Sequence, residues 1–524
     1  MARKVVIIGA GPAGLTAGYK LLKSAPEKKY TVTILEESGT AGGISRTVAH
    51  NGNRMDIGGH RFFSKDDTVN RMWEELMPEQ GSPSLDDRIL QREVKYKSGG
   101  PDPEQTNRVM LLRKRVSRIY YRETFFDYPV KINFSTIKNM GLATTVAAGF
   151  SYLKSVFFKY PEDSLENFYI NRFGKKLYSM FFESYTEKLW GRHPRNISAD
   201  WGVQRVKGLS IYAVIKDIFL KLLPRKEYRR KEMETSLIDY FHYPKYGPGQ
   251  LWEIMAAEFV KMGGKIIYHA KAEKIHLANG LINSIGFLEN GHETELPCDL
   301  VISSMPLKEL AAGMNEIPPD AAAVAAGLPY RDFITVGLLT DRLNLKNQTK
   351  LKTLNNLVPD CWIYVQDGNV KLGRIQIFNN WSPYLVKDPE HTVWIGLEYF
   401  CHEGDDLWRL SPEELCRFAV SELIKMKILS PTSPVLDFHV EKVPKAYPAY
   451  FDTYADIQKL IDYLDTIRNL YCIGRNGQHR YNNMDHSMLT AFAAVEHILS
   501  GRDGDRSKIW QVNTEKEYHE ERHS

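Results

Sequence analysis

The first apolar run of the chain, VVII at residues 5–8, is short, unbroken and followed at once by glycines. A run of that length bounded by turn residues predicts a strand buried on both faces. In GPAGLTAGYKLL, apolar residues at helical spacing follow Gly9, Gly11 and Gly14, and YTVTILEE returns to a strand ending at Glu36. Strand, glycine turn, helix and acid-ended strand make a βαβ unit. Gly9 permits the tight turn, Gly11 lets backbone approach a pyrophosphate, and Gly14 lets the helix pack closely. The helix N-terminus offers amide donors and a partial positive charge to phosphates. Glu36 is placed to accept from a ribose hydroxyl and disfavours a 2′-phosphate, so the unit predicts a bound dinucleotide.

Three later patterns extend the outline. MGLATTVAAGFSYL (140–153) predicts a buried helix, with a membrane-surface segment as the alternative; it is too short to span a bilayer. In EYFCHEGDDLWRLSPEELCRFAVSELIKM (398–426) a strand end gives way to a helix that SPEE caps at its start. In GRNGQHRYNNMDHSMLTAFAAVEHIL a polar stretch precedes an apolar helix, and Asp485 or Ser487 reads as its N-cap.

Composition narrows the class. The 524 residues suit roughly two to four domains. Lysine plus arginine number 69 against 64 acids, and a net charge of +5 is too small to argue for nucleic acid. The basic runs LRKRVSR (112–118) and RKEYRRK (225–231) are interleaved with apolar residues or with Glu and Tyr and read as solvated faces. Five cysteines, odd in number and without metal-ligand spacing, predict free thiols in a reducing compartment and no metal site. The VVII run is cut too early for a signal-peptide core. With no stretch long enough to span a membrane, the expected location is cytoplasmic. The chain after about Ser500 reads as a loosely ordered polar tail.

Just after Glu36, SGTAGGISRT brings a second close backbone approach at Gly42 and Gly43, with Ser45, Arg46 and Thr47 beside it. This continuation resembles the flavoprotein superfamily of amine oxidases, protoporphyrinogen oxidases, phytoene desaturases and UDP-galactopyranose mutases, where it runs along FAD. GGKIIYHAKAEKIHL (263–277) is similar to the superfamily's adenine-side strand and turn, CDLVISSMPL (298–307) to its returning strand, and NLYCIGRNG (469–477), with Arg475, to the strand closing the FAD site. The helix behind Asp485 and Ser487 then points its N-terminus at the flavin's N1 to C2=O edge, which favours reduced flavin. The resemblance implies an α/β fold with a discontinuous Rossmann-like FAD-binding domain in residues 1–90, 236–310 and 431–505. A helical substrate insertion (91–235), a strand-rich substrate domain (311–430) and a polar tail (506–524) complete it.

Within the superfamily, ordered segments resemble the UDP-galactopyranose mutases. MDIGGHRFFSK resembles their glycine-hinged histidine loop and places His60, on Gly58 and Gly59, beside the flavin. YTEKLWGRHPRNISADWGVQRVKGLS carries Trp190 and Arg205, FHYPKYGPGQLWEIMAAEF a glycine turn entering a helix, GRIQIFNNWSPY carries Arg374, and HRYNNMDHS carries Arg480 and Tyr481. The resemblance implies a nucleotide-sugar substrate whose diphosphate is held by Arg205, Arg374 and Tyr481, with Trp190 and Arg480 lining its site. It also implies pyranose–furanose interconversion through reduced flavin N5, NAD(P)H as a candidate reductant, and a place in polysaccharide biosynthesis. Two guanidiniums suit a diphosphate because each forms forked, charge-assisted bonds at any working pH. For each of these residues a bland reading stands beside the functional one: surface or ion-paired arginines, core Trp190 and Tyr481, and His60 making a turn hydrogen bond. The alternative function is an FAD oxidoreductase of the amine-oxidase, protoporphyrinogen-oxidase or desaturase kind, marked by an apolar tunnel in place of a basic cleft. A flavin-holding scaffold without turnover is the third class. The sequence leaves the oligomeric state open.

Overall fold

The structure is a computed structural model and describes residues 2–25, 29–128, 134–199, 240–501 and 505–513. Its first sheet is parallel, in the order 470–472, 300–303, 3–8, 30–35, 265–267. Strand Arg3–Ile8 is central, with Val5 opposite both Val32 and Leu300. Val5 and Ile7 face a core shared with helices Pro12–Ser24, Pro248–Lys261 and Met484–Ser500. Val6 and Ile8 face the opposite core, formed with the meander 270–297 and helix Ile457–Thr466. The unbroken VVII run therefore reflects a sheet covered on both sides. As expected, the sheet gathers strands from the beginning, middle and end of the chain.

The second sheet has seven strands, in the order 437–448, 330–340, 393–401, 374–377, 362–365, 117–121, 124–127. All its pairings are antiparallel except that of Trp362–Val365 with Ser117–Tyr121. On one face Ile334, Val336, Ile375, Ile395 and Leu397 pack with Leu415, Ala419 and Leu423 of helix Pro412–Lys425. That helix starts as its sequence predicts, with a reciprocal Ser411–Glu414 capping box. The sheet reaches beyond the substrate-domain boundaries read from sequence. Residues 110–127, expected within a helical insertion, carry three strands: Ser117–Tyr121 and Thr124–Asp127 join this sheet with Ile119 and Phe126 buried opposite each other, and Met110–Lys114 pairs with Tyr240–Pro244 in a separate ribbon. Strand Asp437–Pro448, expected in the last FAD segment, edges the same sheet.

Three other expectations change. Helix Leu142–Phe157 is not buried: only Ala148 and Ser155 are, while Leu142, Phe150 and Phe157 face outward. It packs through its small residues on Gly174, where a Cβ would lie 2.7 Å from the Tyr152 amide nitrogen. The run LRKRVSR is not a solvated face, since Arg113 is buried against Asp86 and Arg118 pairs with buried Asp360. RKEYRRK lies outside the described residues. The start of the tail is held: Trp510 and Val512 carbonyls accept from Arg480, and the Ile509 carbonyl accepts from Gln478. All five cysteines are buried and free.

The Asp86 carboxylate shows what such internal charges contribute. Burial works against its charge, but Arg113 and Arg92 outweigh it and hold its carboxyl well below the usual range. A folded-state pKa depressed in this way gives stability above the unfolded value that is lost as pH falls through the acid range. Arg113→Ala leaves this carboxylate with Arg92, which is partly exposed, and should cost about 3 kcal/mol at neutral pH. Thermal unfolding against pH should show the variant losing less than the wild type on acidification; parallel curves would refute the assignment.

Candidate functional site

Two glycine turns face each other at the C-terminal edge of the parallel sheet. Gly9 (φ 98°) and Gly11 lead into helix Pro12–Ser24, and Gly42 (φ 106°) and Gly43 (φ 54°) follow strand Tyr30–Leu35. A Cβ on Gly43 would lie 3.2 Å from the Gly11 Cα, and one on Gly14 only 1.9 Å from the Gly9 carbonyl oxygen. Side chains at these positions would close the cradle that a pyrophosphate enters, so the residues fit a dinucleotide. Glu36 also braces the turn: it accepts from the Ala10 amide at 2.7 Å and from the Ser38 amide and hydroxyl. One lone pair remains, on Oε2, for a ribose hydroxyl. Ser45 is buried beside this turn, and Arg46 is held by the Gly43 carbonyl and by an ion pair with Glu441 at 3.0 Å.

Strand Asn53–Asp56 delivers the histidine loop. Asp56 is fully buried and accepts from Thr47 and Tyr243, and burial pushes its carboxyl up to about 7. Thr335 donates to the Ile57 carbonyl at 2.8 Å, tying the loop to the seven-stranded sheet. Neither Gly58 nor Gly59 has positive φ. Their need is space: a Cβ on Gly59 would lie 2.8 Å from the Trp362 ring. His60 Nδ1 sits 2.7 Å from the Gly58 carbonyl, which fixes the proton on Nδ1 in the neutral ring. Burial, with Arg475 and Arg374 nearby, pushes His60 down to about 4. The ring is thus neutral at working pH, with Nε2 an acceptor.

Beside it, the inner face of the seven-stranded sheet carries polar and aromatic residues. Arg374 lies directly across the ladder from both Tyr364 and Glu398. Burial works against its charge, but Glu398, 2.5 Å away, outweighs this and holds the guanidinium cationic. Gln376 donates to Glu398, and Tyr447 accepts from Arg374. The guanidinium stands 4.8 Å from the Trp362 and Phe400 ring centres, and among the described residues its Nε has no hydrogen-bond partner. Tyr447 stacks on Tyr481 at 5.6 Å, and Arg475 lies 4.6 Å over the Tyr481 ring. Arg61 also lies 5.9 Å from the Trp362 ring centre.

The structure thus brings His60, Arg374, Arg475 and Tyr481 together. It places others differently. Trp190 is buried in the helical core, edge-on to Phe451, which is its bland reading. Arg480 is committed to the tail carbonyls of Trp510 and Val512. Asp485 and Ser487 are not N-caps: helix Met484–Ser500 begins after Asn483, whose amide donates to His486 Nδ1, and Asp485 turns to Ser64. Arg205 lies outside the described residues. Sequence reasoning passed over Glu398, Trp362, Tyr447 and Asp56. A lone acid within the otherwise uncharged strand VWIGLEYFC was the available signal for Glu398, because a charge buried there requires a partner. Among the described residues no group of acids, histidines and cysteines is placed to hold a metal, and no helix is long and apolar enough to cross a membrane.

The sequence profile of flavin-containing amine oxidoreductases matches residues 12–499. No curated protein sequence matches the chain. Among solved structures, a reduced UDP-galactopyranose mutase is similar with a TM-score of 0.74 at 20% identity, over 99% of this chain and 100% of that one. A putative protoporphyrinogen oxidase from Exiguobacterium sp. 255-15 gives 0.65 at 14% identity, over 96% and 100%. Putrescine oxidase bound to putrescine gives 0.55 at 14%, over 95% and 99%.

Two outcomes follow from this geometry. Arg374→Met leaves Glu398 as an unpaired buried charge and should cost about 3–5 kcal/mol. Adding Glu398→Met should recover most of that in denaturant unfolding; purely additive losses would show that the two do not act as a pair. His60 and His479 are both pushed down to about 4, chiefly by burial. From the ordinary value of 6.5 down to that value the unfolded chain binds more protons, so stability is full above this window and lost as pH falls through it. Melting temperatures should therefore fall on acidification, less steeply in His60→Gln, and an unchanged slope would contradict a neutral His60.

Proposed function

The chain belongs to the family of flavin-containing amine oxidoreductases and takes FAD as its cofactor, and from that premise we propose an FAD-dependent sugar-nucleotide mutase that interconverts pyranose and furanose forms of a UDP-hexose. The observation that carries this reading is the lining beside His60. Arg374, Arg475 and Arg61 stand among Trp362, Tyr364, Tyr447 and Tyr481, a cluster of cations and aromatic rings rather than an aliphatic lining. The likeness in fold to a reduced UDP-galactopyranose mutase supports it. Reduced FAD, when bound, supplies a nucleophilic N5 for an anomeric carbon.

The chain's own residues do the rest. Arg374 offers its unpartnered Nε to an anionic leaving group, and Glu398 and Tyr447 fix the plane of the guanidinium beforehand. Arg475, anchored by the Asn482 and Ala446 carbonyls, adds positive potential over Tyr481. Neutral His60 accepts at Nε2 and holds no proton there to give, so it shapes the chamber and orients a hydroxyl donor. The runner-up, an FAD oxidoreductase acting on an apolar or aminated substrate, is favoured by one observation: Glu398 neutralises Arg374 and lowers the net positive charge of the cluster.

The test uses FAD-loaded protein reduced with dithionite and incubated with a panel of UDP-hexoses. The mutase reading expects a new chromatographic peak of unchanged mass that requires reduction, with kcat/KM about a hundredfold lower in Arg374→Lys and reduced in Tyr481→Phe. No isomer, and no perturbation of the flavin spectrum by any UDP-sugar, would overturn it. Hydrogen peroxide release with amines or porphyrinogens would then assign the oxidoreductase.

A further inference from the structure

A second feature lies apart from this site and does not depend on how its chemistry is read. Helix Leu142–Phe157 turns Leu142, Val146, Phe150, Leu153 and Phe157 to solvent, with exposures of 76, 49, 70, 51 and 76%, and Phe158 continues the stripe at 69%. Their spacing of four, four, three and four residues marks one helical face. Soluble surfaces rarely carry so continuous an apolar patch without a use.

The face cannot roll inward. Gly174 of helix Leu165–Phe181 receives the backbone of Ser151 and Tyr152, and Ser151 accepts from the Lys176 amide. Beyond the helix, the Tyr160 amide donates to Asn171 and Lys159 to the Asn171 carbonyl. The opposite side is thus fixed to the protein through small and polar groups. The large residues are held outward.

Charge identifies what covers them. From Tyr128 to Pro161 the chain carries Lys131, Lys138, Lys154 and Lys159 and no aspartate or glutamate. Lys175 and Lys176 are exposed on the neighbouring helix. Asp127 precedes this stretch, and the acids that follow it are engaged: Glu162 pairs with Arg172 at 2.7 Å and Glu166 with Arg195 at 3.6 Å, while Asp163 accepts from Asn167. Leucine and phenylalanine on one face with lysines at its margins are the composition of a helix lying in a membrane interface, whereas the cores of protein interfaces are depleted of lysine.

We propose that helix Leu142–Phe157 docks the protein on an anionic lipid bilayer, its apolar stripe entering the headgroup boundary and its lysines facing acidic lipid. The experiment is flotation of the FAD-loaded full chain with phosphatidylcholine vesicles, with and without phosphatidylserine. Binding should require phosphatidylserine, weaken with salt, and fall about tenfold in Phe150→Ser/Phe157→Ser. Lys154→Glu should weaken it separately. Both variants change exposed residues, and an unaltered flavin spectrum and melting temperature would confirm that they fold. Absence of binding to phosphatidylserine vesicles would overturn the proposal. So would a self-associated wild type that the Phe150→Ser/Phe157→Ser substitutions convert to monomer without any lipid binding, which would assign the face to a second copy of this chain.

Discussion

The close approach of strand Asn53–Asp56 to the inner face of the seven-stranded sheet is the constraint on which the site depends. That approach is possible because position 337 of the sheet is a glycine, which lies opposite Gly396 in the ladder. A Cβ on Gly337 would meet the Met55 sulfur at 2.6 Å, and one on Gly396 the Phe378 ring at 2.7 Å. With no side chain at Gly337, Met55 packs directly on the sheet, and Thr335 donates to the Ile57 carbonyl just beyond the strand. The next residues are Gly58, Gly59 and His60. The nucleotide-binding part and the seven-stranded sheet therefore meet at Met55 and Ile57, and the position of His60 is set by packing three to five residues before it.

That junction explains why charge sits where it does. Every residue of strand Val393–Cys401 is buried, so the side facing helix Pro412–Lys425 is aliphatic and any chemistry must lie on the other side. There Glu398 and Arg374 occupy neighbouring ladder positions. Removing both from water is costly, and such a pair is seldom a net source of stability. Its effect is orientation. Glu398 and Tyr447 take part of the guanidinium, rings of Trp362 and Phe400 bracket it, and the remaining Nε is held ready without the entropy that a free arginine would lose on binding. Burial keeps His60 neutral, and Arg475 and Arg374 reinforce it.

The cofactor half was legible because it is built from local backbone. Gly9, Gly11, Gly14, Gly43 and Glu36 act within a single βαβ unit, so their spacing carries the geometry. The substrate half is assembled from residues hundreds of positions apart, and spacing does not encode such contacts. Arg374 was visible through its surrounding segment, yet its partner Glu398 was not, since pairing across a ladder requires the register. Asp485 and Ser487 looked like caps because both are capping residue types; the helix in fact starts at Met484, where Asn483 precedes it. Arg480 had the same charge and neighbourhood as Arg475, but the returning tail at Trp510 and Val512 claims it.

The exposed helix shows the opposite failure of pattern. Hydrophobicity in MGLATTVAAGFSYL correctly gave a helix, but the amount of apolar surface does not say which face is covered. That is decided by the small residues. Ala148 and Ser155 are its buried positions and the backbone of Ser151 and Tyr152 meets the kink at Gly174, so the helix docks by its least hydrophobic side and presents its most hydrophobic one. The helix and sheet faces that line the chamber follow the usual rule of burying their largest side chains. Where a segment breaks that rule and is pinned in place by hydrogen bonds at Ser151 and Asn171, exposure is a property of the fold rather than a failure of packing.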